Sequence, residues 1–290
     1  MTVWPRDVAL VTLLALSELR HRRSLLVVTV ITVGFLALYG WGAFEILGDL
    51  EDRTVGQGFP PEETARGAGF ILLGIGVFAT FSLASVLAVF TTMNTVRGEA
   101  EQGLLQPLIV RPVDRSAVVS GRVLAATAAG GAYCAVVIAI TSALTSAAGG
   151  APPGNLLQVV LGLTGAVAIV AAFTVLLSTF LGTAATGLAA TMLISVGFFA
   201  SLVRQIGEGT DSESVELWAG RVTDVLGYNA LYEGALGSLT NGVSGLAGLA
   251  LQLGPFGQQR DLSQALTITS LVELAVLVAL ATWRLRRLDL

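Results

Sequence analysis

The chain has 290 residues, 54% of them hydrophobic and only 12% charged, with a mean hydropathy of +0.78. Soluble domains carry about 25% charged residues, so this composition excludes a water-soluble globular protein and points to one that lives in a bilayer. The net charge is −4, and all 16 basic residues are arginine. The single cysteine, Cys134, lies in an apolar stretch, so no intramolecular disulfide can form.

Residues 6–20 mix apolar side chains (Val8, Leu10, Val11, Leu13, Leu14, Leu16, Leu19) with polar ones (Arg6, Asp7, Thr12, Ser17, Glu18). The run is short for a crossing and predicts a helix lying along the membrane interface. A spanning helix needs roughly 20 apolar residues. Six segments qualify, at 25–44, 69–93, 118–147, 156–181, 184–203 and 265–283. The third is long enough for its first turns to project from the membrane. Because apolar runs recur along the chain instead of occurring once near its start, no cleavable signal peptide is expected. The fourth and fifth spans are joined only by Leu181-Gly182-Thr183, a tight helical hairpin. The reading is all-α, a six-span polytopic membrane protein with one domain over residues 1–290.

Charge sets the orientation. With six spans both termini share a side, and that side carries Arg6, Arg20, Arg22 and Arg23, then Arg97, Arg111, Arg115 and Arg122, then Arg284, Arg286 and Arg287. The other side has Arg53, Arg66, Arg204, Arg221 and Arg260, diluted by many acids. The positive-inside rule places the first set, and both termini, in the cytoplasm of a cell-membrane protein. Tyr39, Trp41 and Phe44 then mark the outer interface and Trp283 the inner one. Two outer segments stand out. Residues 45–67 are acidic, and 204–264 have an acidic first half (Glu208, Asp211, Glu213, Glu216, Asp224) and an apolar, glycine-rich stretch through 242–256. Structureless loops of that length are uncommon in compact proteins, so short outer helices, dipping against the outer membrane surface, are expected before the last span.

Several chemistries are absent. There is no G-x-x-x-x-G-K-[ST] loop to cradle ATP, no Cys/His cluster and no Ser/His/Asp arrangement, so the chain reads as a non-enzyme with no metal or cofactor of its own. His21, the one histidine, sits in Arg20-His21-Arg22-Arg23 and reads as part of a headgroup-facing basic cluster. No nucleic-acid partner is expected; membrane lipid is. Ion-coupled carriers keep charged groups at mid-membrane depth, and Glu273 in the last span is the clear candidate. It is either a substrate or proton site, or a carboxylate that snorkels or bonds to a neighbouring Ser or Thr. Gly162, Gly165, Ala166, Gly182, Ala185, Thr186 and Ala189 permit close helix approach, either within one bundle or between two copies.

Residues 98–115, Gly-Glu-Ala-Glu-Gln-Gly-Leu-Leu-Gln-Pro-Leu-Ile-Val-Arg-Pro-Val-Asp-Arg, form the one sizeable polar segment between spans on the cytoplasmic side. Gly98, Glu99, Glu101, Gly103, Leu105, Arg111, Pro112, Val113, Arg115 and Gly121 follow the order and spacing of a loop found in one family. The chain resembles the ABC-2 permeases of ATP-binding-cassette transporters. Leu104 stands where that family often has threonine, Pro107 falls within its leucine run, and Arg122 replaces a usual lysine. Less specifically, Leu226-Gly227-Tyr228-Asn229-Ala230-Leu231-Tyr232 looks like a segment of permeases similar to NosY, associated with copper-site maturation. The outer segments hold no Cys, His or Met, the ligands softer copper sites prefer.

The resemblance implies a permease subunit that pairs with a second copy or a sibling and binds separate nucleotide-binding subunits, which carry the ATP and Mg. Gly103 and Pro107 interrupt helix, Leu104, Leu105 and Leu108 offer an apolar knob, and Glu99, Glu101, Arg111 and Arg115 supply a charged rim that fixes register. Residues 97–117 are then the coupling loop, with Glu99, Glu101, Gly103, Leu105, Arg111, Pro112 and Arg115 as its working residues, and export is the expected direction of transport. Two rivals remain open: a non-transporting membrane scaffold using the same loop, and an ion-coupled secondary carrier using Glu273.

Overall fold

The computed structural model describes residues 4–21, 23–54, 61–95, 114–150, 154–210, 212–240, 260 and 262–287. Among them the chain forms nine helices and no strands: α1 (Trp4–His21), α2 (Arg23–Thr54), α3 (Pro61–Thr92), α4 (Arg115–Ala147), α5 (Leu156–Ser178), α6 (Thr183–Gly209), α7 (Glu213–Val225), α8 (Gly227–Thr240) and α9 (Gln264–Arg286). Six of these contain segments long and apolar enough to cross a membrane, namely Leu25–Asp49, Gly67–Thr92, Arg115–Ala147, Leu156–Ser178, Thr183–Gly207 and Gln264–Arg286. The protein is an all-α, multi-pass membrane protein. Helix satisfies every backbone group within its own segment, which an apolar surrounding demands. Buried hydroxyls follow the same logic: Thr80 donates to the Gly76 carbonyl at 2.6 Å and Thr174 to that of Val170 at 2.8 Å.

Helix α5 is the axis of the bundle and packs against α3, α4, α6, α8 and α9. Its buried residues run unbroken from Ala166 to Ala172, the all-round apolar surface that a helix needs when neighbours enclose it. The acidic segment 45–67 is largely helix, since α2 continues to Thr54 and α3 begins at Pro61, where proline's missing N–H costs nothing. Tyr39, Ala43 and Leu47 recur every four residues and bury one stripe against Leu72, which carries α2 past its apolar run. Tyr39 therefore faces inward, its hydroxyl 2.7 Å from Thr145 Oγ1, whereas Trp41 and Phe44 are exposed.

Helix α1 packs against the start of α4. Trp4 Nε1 donates to Ser116 Oγ at 3.0 Å, Thr12 Oγ1 to the Gly121 carbonyl at 3.3 Å, and Arg122 pairs with Glu18 at 3.0 Å. From Trp4 to Leu19, α1 thus packs along the first half of α4, ending beside Ala129 and Tyr133. The approach is close at Gly121, where a Cβ would lie 2.7 Å from the Val11 side chain and 3.2 Å from the Val8 carbonyl oxygen. Gly121→Val is expected to cost about 1–3 kcal/mol by overpacking. Limited proteolysis of the purified protein should then cut α1 faster than in the parent, and an unchanged rate would contradict this docking.

Candidate functional site: a helical hairpin that enters the bundle

Helices α7 and α8 form a hairpin whose apex reaches the middle of the bundle. Helix α7 follows α6 inward: Gly207 abuts Val215 and Glu216, and Arg204 lies against Gly220. After the break at Leu226 the chain climbs back along α5, with Gly227 beside Ile169, Leu231 beside Gly165, Ala235 beside Gly162, and Ser238 beside Gly154. Ile169 is near the midpoint of α5 and Gly154 lies just before its start, so α8 covers half the depth of the bundle. Every residue from Leu226 to Leu239 is buried. The short helices expected before the last span are present as α7 and α8, and α8 lies in a groove that α5 offers. Gly162 and Gly165 line that groove, so here small residues serve packing within one chain.

An aromatic cluster fixes the apex laterally. The Tyr232 ring lies 5.1 Å from Phe81 of α3 and 5.5 Å, edge-on, from Phe198 of α6, geometries that add to area burial. The Tyr228 hydroxyl donates to the Leu193 carbonyl of α6 at 2.7 Å.

The start of α8 meets Glu273. A helix that begins inside an apolar bundle leaves its first N–H groups without water, and Gly227 N donates to Glu273 Oε1 at 3.3 Å. The carboxylate also faces the positive end of the helix dipole. The Ser or Thr hydroxyl expected for Glu273 is not bonded to it among the described residues; a backbone amide is. Gly227 leaves room for this contact, because a Cβ on it would meet the Glu273 carboxylate and oblige that side chain to move.

A second acid, unforeseen from the sequence, lies further along α8. Glu233 is 1% exposed, Asn229 0% and Ser201 2%. Ser201 Oγ donates to Glu233 Oε1 at 2.7 Å, and Asn229 Nδ2 donates to Ser201 Oγ at 2.7 Å and to Glu233 Oε1 at 3.0 Å. Glu233 Oε2, Asn229 Oδ1 and the Tyr232 hydroxyl are buried with no hydrogen-bond partner. Arg204 and Arg260 lie near enough for their charges to act on the carboxylate. Two pairs spaced four apart, Tyr228/Tyr232 and Asn229/Glu233, were the signal that this outer segment is helical with a buried face. Among the described residues no group of three or more His, Cys, Asp or Glu gathers to hold a metal.

At the opposite end of the bundle, Asp114 caps α4 by accepting from Ser116 N at 3.1 Å and lies 3.6 Å from Arg286. Arg115 Nη1 donates to the Leu285 carbonyl at 2.8 Å and to that of Arg286 at 3.2 Å, closing carbonyls that the end of α9 leaves open. Arg115 to Ala117, part of the expected coupling loop, are thus the first turn of α4. Glu99, Glu101, Gly103, Leu105, Arg111 and Pro112 lie outside the described residues.

Comparison of the chain with models of known protein families finds no match, and comparison with curated proteins finds none.

Two predictions follow from these contacts. Gly227→Ala should destabilise by about 1–3 kcal/mol through steric conflict, and Glu273→Ala by about 1 kcal/mol through loss of the cap. The double variant should lose less than the sum, because removing the carboxylate relieves the clash; additive losses in thermal unfolding would refute the contact. The Ser116 amide holds the Asp114 carboxyl below its ordinary value. Its stabilisation is therefore present above about pH 3.9 and lost as pH falls through the lower, folded value. Asp114→Asn keeps an acceptor for Ser116 and should flatten that acid limb in unfolding experiments.

Proposed function

We propose that the chain is the membrane-spanning subunit of a transporter of the ABC-2 permease kind, driven by ATP hydrolysed on a separate nucleotide-binding subunit. The observation that carries the reading is the bracing of the helix that follows residues 98–113. Asp114, Arg115, Ser116 and Arg122 tie the start of α4 to α9 and to α1 through side-chain bonds of 2.8–3.6 Å. A segment that receives force from a partner needs such an attachment; a push there reaches three helices together. The ordered set Glu99, Glu101, Gly103, Leu105, Arg111, Pro112 and Arg115 supplies the docking chemistry, and the arginine bias puts it in the cytoplasm. The full transporter then contains two permease chains, identical or sibling, and moves its cargo outward by rocking them against each other.

The test starts with affinity purification from the native cells, which should recover a nucleotide-binding subunit. In that complex, Leu105→Asp and Arg111→Glu should leave membrane insertion and thermal stability unchanged while permease-stimulated ATPase falls to the basal rate. Normal stimulation in both variants overturns the assignment. A complex with no ATPase subunit favours the scaffold reading.

A further inference from the structure

A cavity of about 470 Å³ lies beside the hairpin apex, between the α7–α8 junction and α9. That volume suits a small organic molecule. Its walls include Val225 and Leu266, and its charged groups are Glu273, Asp224 and Arg260. Arg260 Nη1 and Asp224 Oδ1 are 2.9 Å apart and cancel each other. Glu273 receives the Gly227 amide at 3.3 Å and, among the described residues, no basic side chain. Among the described residues the cavity thus holds one carboxylate without a basic partner, in walls that mix apolar side chains with the hydroxyl residues Ser263, Thr269 and Ser270. Such a carboxylate is costly unless neutralised.

The mouth matters as much as the floor. Val225 is 72% exposed and Val272 57%, beside the exposed Arg260–Asp224 pair, so the cavity opens on a surface that is part apolar and part charged. A ligand matching both parts is amphipathic. A dication would need several oxygen ligands, and the site has one unpaired carboxylate. An anion would meet like charge.

We propose that this cavity binds an amphipathic organic monocation, its ammonium on the Glu273 carboxylate and its apolar body between Val225 and Leu266. As a cargo site it rests on the transporter reading; as a binding site it stands without it. The cap and the ligand are compatible, because a carboxylate has two oxygens and the Gly227 amide takes one.

The test uses the full chain in lipid nanodiscs and the fluorescent lipophilic monocation rhodamine 6G, followed by anisotropy. Saturable binding is expected, reversed by decylamine and not by decanol. Glu273→Gln removes the charge but keeps an acceptor for Gly227, and should weaken binding about tenfold or more. Val225→Trp, which fills the mouth without touching charge, should weaken it as well. Equal affinity in both variants, or displacement by decanol as readily as by decylamine, overturns the site. A stimulated ATPase subunit together with Glu273-independent binding refutes the site alone. Glu273-dependent binding in a protein that stimulates no ATPase refutes the cargo role and leaves the site.

Discussion

A helix that starts halfway through an apolar bundle has amide N–H groups pointing where no water can take them, and each one left unpaired costs on the order of 1–3 kcal/mol. That constraint governs the half of the bundle on which α8 lies. The Glu273 carboxylate meets it at Gly227, where the missing Cβ leaves the carboxylate room and α9 supplies an acid at that depth. Once the apex is capped, α8 can bury its whole length against α5, and α7 can lie along α6 as the descending arm.

The second acid has a different logic. Glu233 Oε1 accepts from Ser201 and Asn229, but Oε2 and Asn229 Oδ1 face no donor. Buried polar groups left half-satisfied are unfavourable, and α8 retains them two turns from its start, where apolar side chains of similar size would pack at no such cost. The compensation comes from the surrounding ring contacts and from the Tyr228 hydroxyl on Leu193, which hold the arm in register whichever way the polar pair is satisfied.

Much of the architecture was legible in the sequence, because a span of 20 or more apolar residues has few other uses. All six crossings fall where hydropathy puts them, with helix ends displaced where side-chain packing outlasts the apolar run, as at Leu47. Glu273 was singled out by depth alone, yet its partner could not be read, since the Gly227 amide is 46 residues away in sequence. The hairpin was hidden for a physical reason. At fourteen residues α8 is too short to read as a span, and only the four-residue spacing of its polar and aromatic pairs betrays an inward face. The motif at 98–113 is legible as a pattern of residue types, while Arg115 at its end shows what the pattern attaches to.

The two ends of the protein meet in α9. At one end Arg115 holds the carbonyls of Leu285 and Arg286; about 18 Å away along the same helix, at 1.5 Å per residue, Glu273 holds the first amide of α8. Between them α9 is one uninterrupted helix from Gln264 to Arg286, and close-packed helices transmit displacement instead of absorbing it. Under the proposed function, a movement of the start of α4 therefore acts on the cap of the hairpin without a chain of intermediates. The carboxylate at that cap also lines the charged cavity, so a shift of α9 would alter the site's geometry and the seating of α8 together. One rigid helix, bound at one end by an arginine and at the other through an acid, is enough to connect them.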